Sequence, residues 1–178
     1  EKLWSQNVKS GAAAGPGTYE SDGEQYVTIT TGWGSAFALT AGYAYDEAVP
    51  SSVGKVVTFK VGGTGLIADS NLPPIDRTPK GDAFGDEAMI AEGAVAFSRN
   101  CMVCHGALAA SSGVLPDLRW SAITGNAEAW KGVVIDGNLA ANGMVSFAEF
   151  VTPEEAEAIR AYVLAQAHAV ADPAAGGQ

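Results

Sequence analysis

The chain has 178 residues, 17% of them charged and 22 of them glycine, with a formal net charge of −10 at pH 7. That balance excludes a nucleic-acid partner, because phosphate binding needs clustered Lys and Arg. No apolar run is long enough to span a bilayer, and the only two cysteines share one short motif, which leaves none for a structural disulfide.

Residues 1–62 read as β structure. Tyr26-Val27-Thr28-Ile29-Thr30 and Val56-Val57-Thr58-Phe59-Lys60-Val61 are β-branched runs bounded by turn residues. Asp22-Gly23 ahead of the first run is a hairpin turn signal, and Gly11 to Gly17 and Gly32-Trp33-Gly34-Ser35 are Gly-rich loops. Two or three strands cannot stand alone in water, so this region is expected to complete a larger sheet. The abrupt start at Glu1-Lys2-Leu3-Trp4 fits the same expectation, that of a mature chain or, in preference, a fragment. Residues 63–82 read as a linker, punctuated by Gly63, Pro73-Pro74, Pro79 and Gly81. Residues 83–170 read as mostly helical, followed by a small-residue tail over 171–178.

Within the helical part, Phe84 to Asn100 is alanine-rich with a weak apolar face through Ala88, Ala91, Val95 and Ala96. A second helix is expected within Asn126 to Ile135, with Asn126 as its N-cap and Gly137 as its stop. The last helix carries the clearest start signal: Thr152 as cap, Pro153 at the first helical position and Glu155 completing a capping box. Its apolar face runs through Ala156, Ile159, Val163, Ala167 and Val170.

Between the first two of these helices stands Cys101-Met102-Val103-Cys104-His105, a C-x-x-C-H run of the kind that attaches a c-type haem. Two thiols at this spacing reach the two vinyl groups of one ring, and the adjacent histidine meets the iron from one face. Zinc, a thioredoxin-like dithiol and a plain disulfide are the competing readings. A closed zinc site needs about four protein ligands, and His168 is the only other histidine.

Met89, Met102, Met144 and His168 compete for the second axial position. Met102 is held on the histidine side by its place between the cysteines. Met89 reads as a core contact on the helix leading into the motif, and His168 as an exposed residue complementing the last helix's dipole. Met144 lies in the loop Asn142-Gly143-Met144-Val145-Ser146-Phe147, where the glycine allows close approach to a flat ring. Its position favours Met144. After the histidine comes Leu115-Pro116-Asp117-Leu118-Arg119. The Pro116 carbonyl could accept the Nδ1–H of His105 and fix the ring. Arg119 could pair with a haem propionate, or be a solvated surface charge. Trp120 and Trp130 read as core or haem-wall aromatics.

With these residues in view, nearly the whole chain resembles the C-terminal part of a quinohaemoprotein alcohol dehydrogenase. The family joins an eight-bladed β-propeller, which binds pyrroloquinoline quinone (PQQ) and calcium, to a cytochrome c domain. In the haem domain the resemblance rests on Cys101 to Gly106, Leu115 to Arg119, Asp136-Gly137, Asn142 to Phe147 and Glu157 to Val163. In the first part it rests on Lys2-Leu3-Trp4, Thr18 to Val27 and Gly32 to Leu39.

The resemblance implies a mixed fold, with residues 1–62 supplying the last strands of the propeller and 83–170 an all-α, class I-type cytochrome c domain. It implies haem c on Cys101 and Cys104, with His105 and Met144 as iron ligands. PQQ and Ca2+ would sit in the parent enzyme, with Ser35 and Ala36 approaching the quinone. No catalytic residue is expected here, since the family's catalytic aspartate would lie upstream of Glu1. The implied place is the periplasm, and the partners are the rest of the propeller, an alcohol substrate through it, and an electron acceptor such as a copper protein, a cytochrome or a quinone system. A free-standing electron-transfer cytochrome with a β extension, and a haem-based sensor with a weakly ligated iron, are the rival readings.

Overall fold

The computed structural model describes residues 1–12, 14–32, 54–69, 76–111 and 115–171. Three strands, β1 (Gly17–Ser21), β2 (Glu24–Thr31) and β3 (Lys55–Lys60), form one antiparallel sheet in the order β1-β2-β3. The turn between β1 and β2 is Asp22-Gly23, with both residues at positive φ, 53° and 77°. That is the backbone a tight hairpin needs to match strand twist.

Cross-strand pairs then fix the register. Tyr19 stacks on Tyr26 with ring centroids 5.2 Å apart, and the Thr28 and Thr58 hydroxyls meet at 2.8 Å. Val27 faces Phe59 and Ile29 faces Val57, so these four share one side of the sheet. Trp4 packs edge-on against Phe59 at 5.0 Å. Val57 is buried on this face, but Trp4 is 64% exposed and Val61 96%, and on the opposite face Val56 is 71% exposed.

The helical part contains α1 (Glu87–Asn100), α2 (Met102–His105), α3 (Ala127–Val134) and α4 (Pro153–Ala171). α1 begins later than its alanine-rich sequence implies. Gly85 sits at φ 83°, and the Asp86 side chain accepts from the Met89 N–H at 2.9 Å, which fixes the start at Glu87. Asn126 caps α3 by accepting from Ala129 N–H at 2.9 Å. The capping box of α4 is complete: Glu155 N–H donates to Thr152 Oγ1 at 3.1 Å and Thr152 N–H to Glu155 Oε2 at 2.9 Å.

α1 crosses α4 at Gly93, and the two helices bury Phe97, Ile159, Tyr162 and Val163 between them. α3 closes the core with Trp130, whose indole N–H donates to the Ala156 carbonyl at 2.7 Å, and with Val134. The far end of α4 is also tied down. His168 is half-buried, with Nε2 2.9 Å from the Gly81 carbonyl oxygen. It is therefore not the exposed, dipole-complementing histidine that its place in the last turn implies.

Candidate functional site

The C-x-x-C-H motif begins where α1 ends. Cys101 N–H still donates to the Phe97 carbonyl at 2.8 Å, and His105 N–H returns to the Cys101 carbonyl at 2.9 Å. One turn of helix, α2 with Cys101 as its N-cap, thus carries both thiols and the imidazole, with the cysteines three residues apart on the same side. Gly106, at φ 77°, turns the chain away, and Leu108 and Ala109 continue at positive φ, 58° and 59°. Such a run costs conformational energy for residues with a β-carbon and persists only where the surroundings hold it.

Both thiols are free; Cys104 is exposed, whereas Cys101 is half-buried against the core. Burial, reinforced by the neighbouring Cys104, pushes the Cys101 thiol up to about 11. His105 is buried at 8% exposure, with Nδ1 3.2 Å from the Pro116 carbonyl oxygen. A carbonyl only accepts, so this contact places the ring hydrogen on Nδ1 and leaves the Nε2 lone pair for a metal. Burial holds the His105 pKa below its ordinary value and outweighs the opposing pulls of the Pro116 bond and the Asp117 carboxylate. The neutral, ligating imidazole is thereby favoured.

Met144 lies in the loop between α3 and α4. Gly143 precedes it at φ 95°, and Met144 N–H donates to the Leu139 carbonyl at 3.2 Å. Two neighbours staple this loop to the end of α3: Ser146 Oγ donates to the Ile135 carbonyl at 2.5 Å and Phe147 N–H to the Val134 carbonyl at 2.8 Å. Met144 packs against the same core cluster as Cys101 and Met102. Among its rivals, His168 is engaged at Gly81 and Met89 lies beside Gly85.

Arg119 is not the solvated surface charge that one of its two sequence readings implies. It is 3% exposed, and its Nε and Nη2 donate to the Asp117 carboxylate at 3.0 and 2.7 Å, with the guanidinium over the Trp120 ring at 5.2 Å. Asp117 is the residue that sequence reasoning missed; the Asp-x-Arg spacing ahead of a short turn was its signal. Trp120 and Trp130 are both buried. Ser35 and Ala36, expected near a quinone, lie outside the described residues.

Among the described residues, no three His, Cys, Asp or Glu side chains gather into a metal cage. Two adjacent thiols and one oriented imidazole instead suit a group that brings its own equatorial donors, as a haem does. No helix among these residues is long and apolar enough to cross a membrane.

Residues 88–163 match the family described as cytochrome c oxidase, cbb3-type, subunit III. Over 94% of its length the chain is 41% identical to quinohemoprotein alcohol dehydrogenase ADH-IIG of Pseudomonas putida, covering 23% of that protein. Over 93% it is 34% identical to the dehydrogenase subunit of an alcohol dehydrogenase (quinone) of Gluconobacter oxydans, covering 22% of that one. The solved structure of Pseudomonas putida ADHIIG superposes on 96% of the chain and 25% of its own with a TM-score of 0.82 at 40% identity. The chain therefore spans about a quarter of the length of the curated relatives it matches.

Proposed function

We propose, from the premise that this chain is homologous to the C-terminal part of the quinohaemoprotein alcohol dehydrogenases and carries a cytochrome c domain, that it is the electron-transfer arm of such an enzyme. Cys101 and Cys104 would hold haem c through thioethers, and His105 and Met144 would ligate its iron. Haem c supplies one-electron redox chemistry at its iron. Pro116 accepts the Nδ1–H of His105 and so presents Nε2 to the iron. Cys101 and Cys104 would anchor the haem, and Met144 in the stapled loop 144–147 would bring a thioether that favours the reduced state. Burial of His105 keeps its imidazole neutral and water away from it. The observation that carries this reading is the His105–Pro116 contact at 3.2 Å within a turn that also holds both thiols.

In the whole enzyme, PQQ and calcium in a β-propeller would supply the alcohol oxidation, and this domain would receive the electrons singly. From there they go to an acceptor such as a copper protein, another cytochrome or a quinone system, in the periplasm. Residues 1–62 supply the last propeller strands, with Ser35 and Ala36 near the quinone, 63–82 link them to the cytochrome domain over 83–170, and 171–178 form a tail. The exposed apolar sheet supports that assignment over a free-standing cytochrome, because Trp4, Val56 and Val61 lack cover within the described residues.

The test is the intact mass of the native protein from its source, followed by alcohol-dependent reduction of its haem. A mass well above 18.1 kDa plus one covalent haem, with reduction that requires PQQ and calcium, is the expected result. A chain of this mass alone, with no propeller co-purifying, would leave the free cytochrome instead.

A further inference from the structure

We propose that Asp117, clamped by the buried Arg119, is the positioning residue for the His105 imidazole. This rests on the reading of His105 as an iron ligand. The Pro116 carbonyl can orient the ring only if the segment bearing it is fixed, and Pro116 itself is exposed with no N–H to anchor it. The anchoring falls to its neighbour.

The Asp117 carboxylate accepts four donors: Arg119 N–H at 3.1 Å and Nε at 3.0 Å on Oδ1, Arg119 Nη2 at 2.7 Å and Ser111 N–H at 3.3 Å on Oδ2. The two-pronged guanidinium grip fixes the carboxylate's plane as well as its place. Ser111 adds a second tie, donating its hydroxyl to the Leu115 carbonyl at 2.5 Å. Residues 115 and 117 are thus both bound to Ser111, and the Pro116 carbonyl between them is aimed at Nδ1. Burial strengthens the arrangement. Arg119 is 3% exposed and the Asp117 side chain 12%, so little water can replace either partner if the pair is broken.

A carbonyl bonded to Nδ1–H makes the imidazole a better donor to iron and so favours the ferric state. Loosening the clamp should therefore raise the reduction potential. The experiment compares the potential and the covalent haem content of the haem-loaded protein, as isolated from its producing strain, with Arg119→Lys and Asp117→Asn. Arg119→Lys keeps the charge but loses the planar two-point grip, so an upward shift with one haem still attached is a positioning effect. Asp117→Asn should shift the potential the same way. An Arg119→Lys potential equal to wild type would overturn the proposal, even if Asp117→Asn shifts, because removal of a nearby negative charge alone explains the latter. Asp117→Glu, which keeps the charge but moves the carboxylate out of the guanidinium fork, decides in the same way if Arg119→Lys fails to accumulate. The underlying reading fails separately: His105→Ala that leaves the haem spectrum unchanged would remove His105 from the iron.

Discussion

Gly93 in α1 and Ala158 in α4 approach so closely that a β-carbon at position 93 would stand 2.0 Å from the Ala158 carbonyl oxygen and 2.5 Å from its carbon. The obstruction is helix backbone, which cannot swing aside as a side chain does. Gly93→Ala should therefore destabilise the domain by about 3 kcal/mol or more, beyond the usual small-to-large penalty, although alanine favours helix. Urea unfolding followed by helical circular dichroism measures it, and a variant as stable as wild type would show that the two helices can separate freely.

Met144→Ala should remove the sulfur-to-iron charge-transfer band of the ferric haem and lower the reduction potential, because a thioether ligand raises it. Met89→Leu and Met102→Leu should leave both unchanged. Optical spectra of the three ferric variants make the comparison, and loss of the band in either leucine variant would move the ligand away from Met144.

Trp130→Phe keeps most of the buried ring but deletes the donor that meets the Ala156 carbonyl at 2.7 Å. A loss of about 1–2 kcal/mol is expected, the cost of one buried hydrogen bond. Thermal unfolding of the haem-loaded protein would register it as a lower Tm.

Asp76 has its carboxyl held down to about 2, chiefly by the Lys80 ammonium and then by Thr78. Its folded-state value lies below the ordinary 3.8, so whatever this pair contributes is present above that pH and lost as the pH falls through about 2. Lys80→Gln should return Asp76 towards the usual carboxylate range. A carboxyl-carbon NMR titration of both proteins reads the difference directly.

Local chemistry made much of the fold legible. Thr152-Pro153-Glu154-Glu155 announces the start of α4 because its bonds close within four residues, and Asp22-Gly23 announces a hairpin for the same reason. β1 was harder to see, since Gly17 to Ser21 is polar, exposed and without apolar alternation; only its pairing with β2 makes it a strand. At the site, the two cysteines and His105 are bound by spacing along one turn and can be read from letters alone. The burial of Arg119 cannot, although its partner Asp117 lies two residues away, and His168 cannot, because a distant partner decides its role. His168 finds Gly81 across 87 positions of sequence, and no local pattern encodes that.

Lys80 and Gly81 fall inside the stretch whose composition marks it as a connector, yet they are gripped by the helical part. Besides the His168 contact, Gly125 lies so near Lys80 that a β-carbon there would meet the Lys80 carbonyl oxygen at 1.9 Å. Whoever excises the haem domain should cut ahead of Asp76 rather than at Ala83. The longer piece keeps a strap across the turn before α3 and the last turn of α4, whereas the shorter one exposes both and leaves the His168 ring without its acceptor.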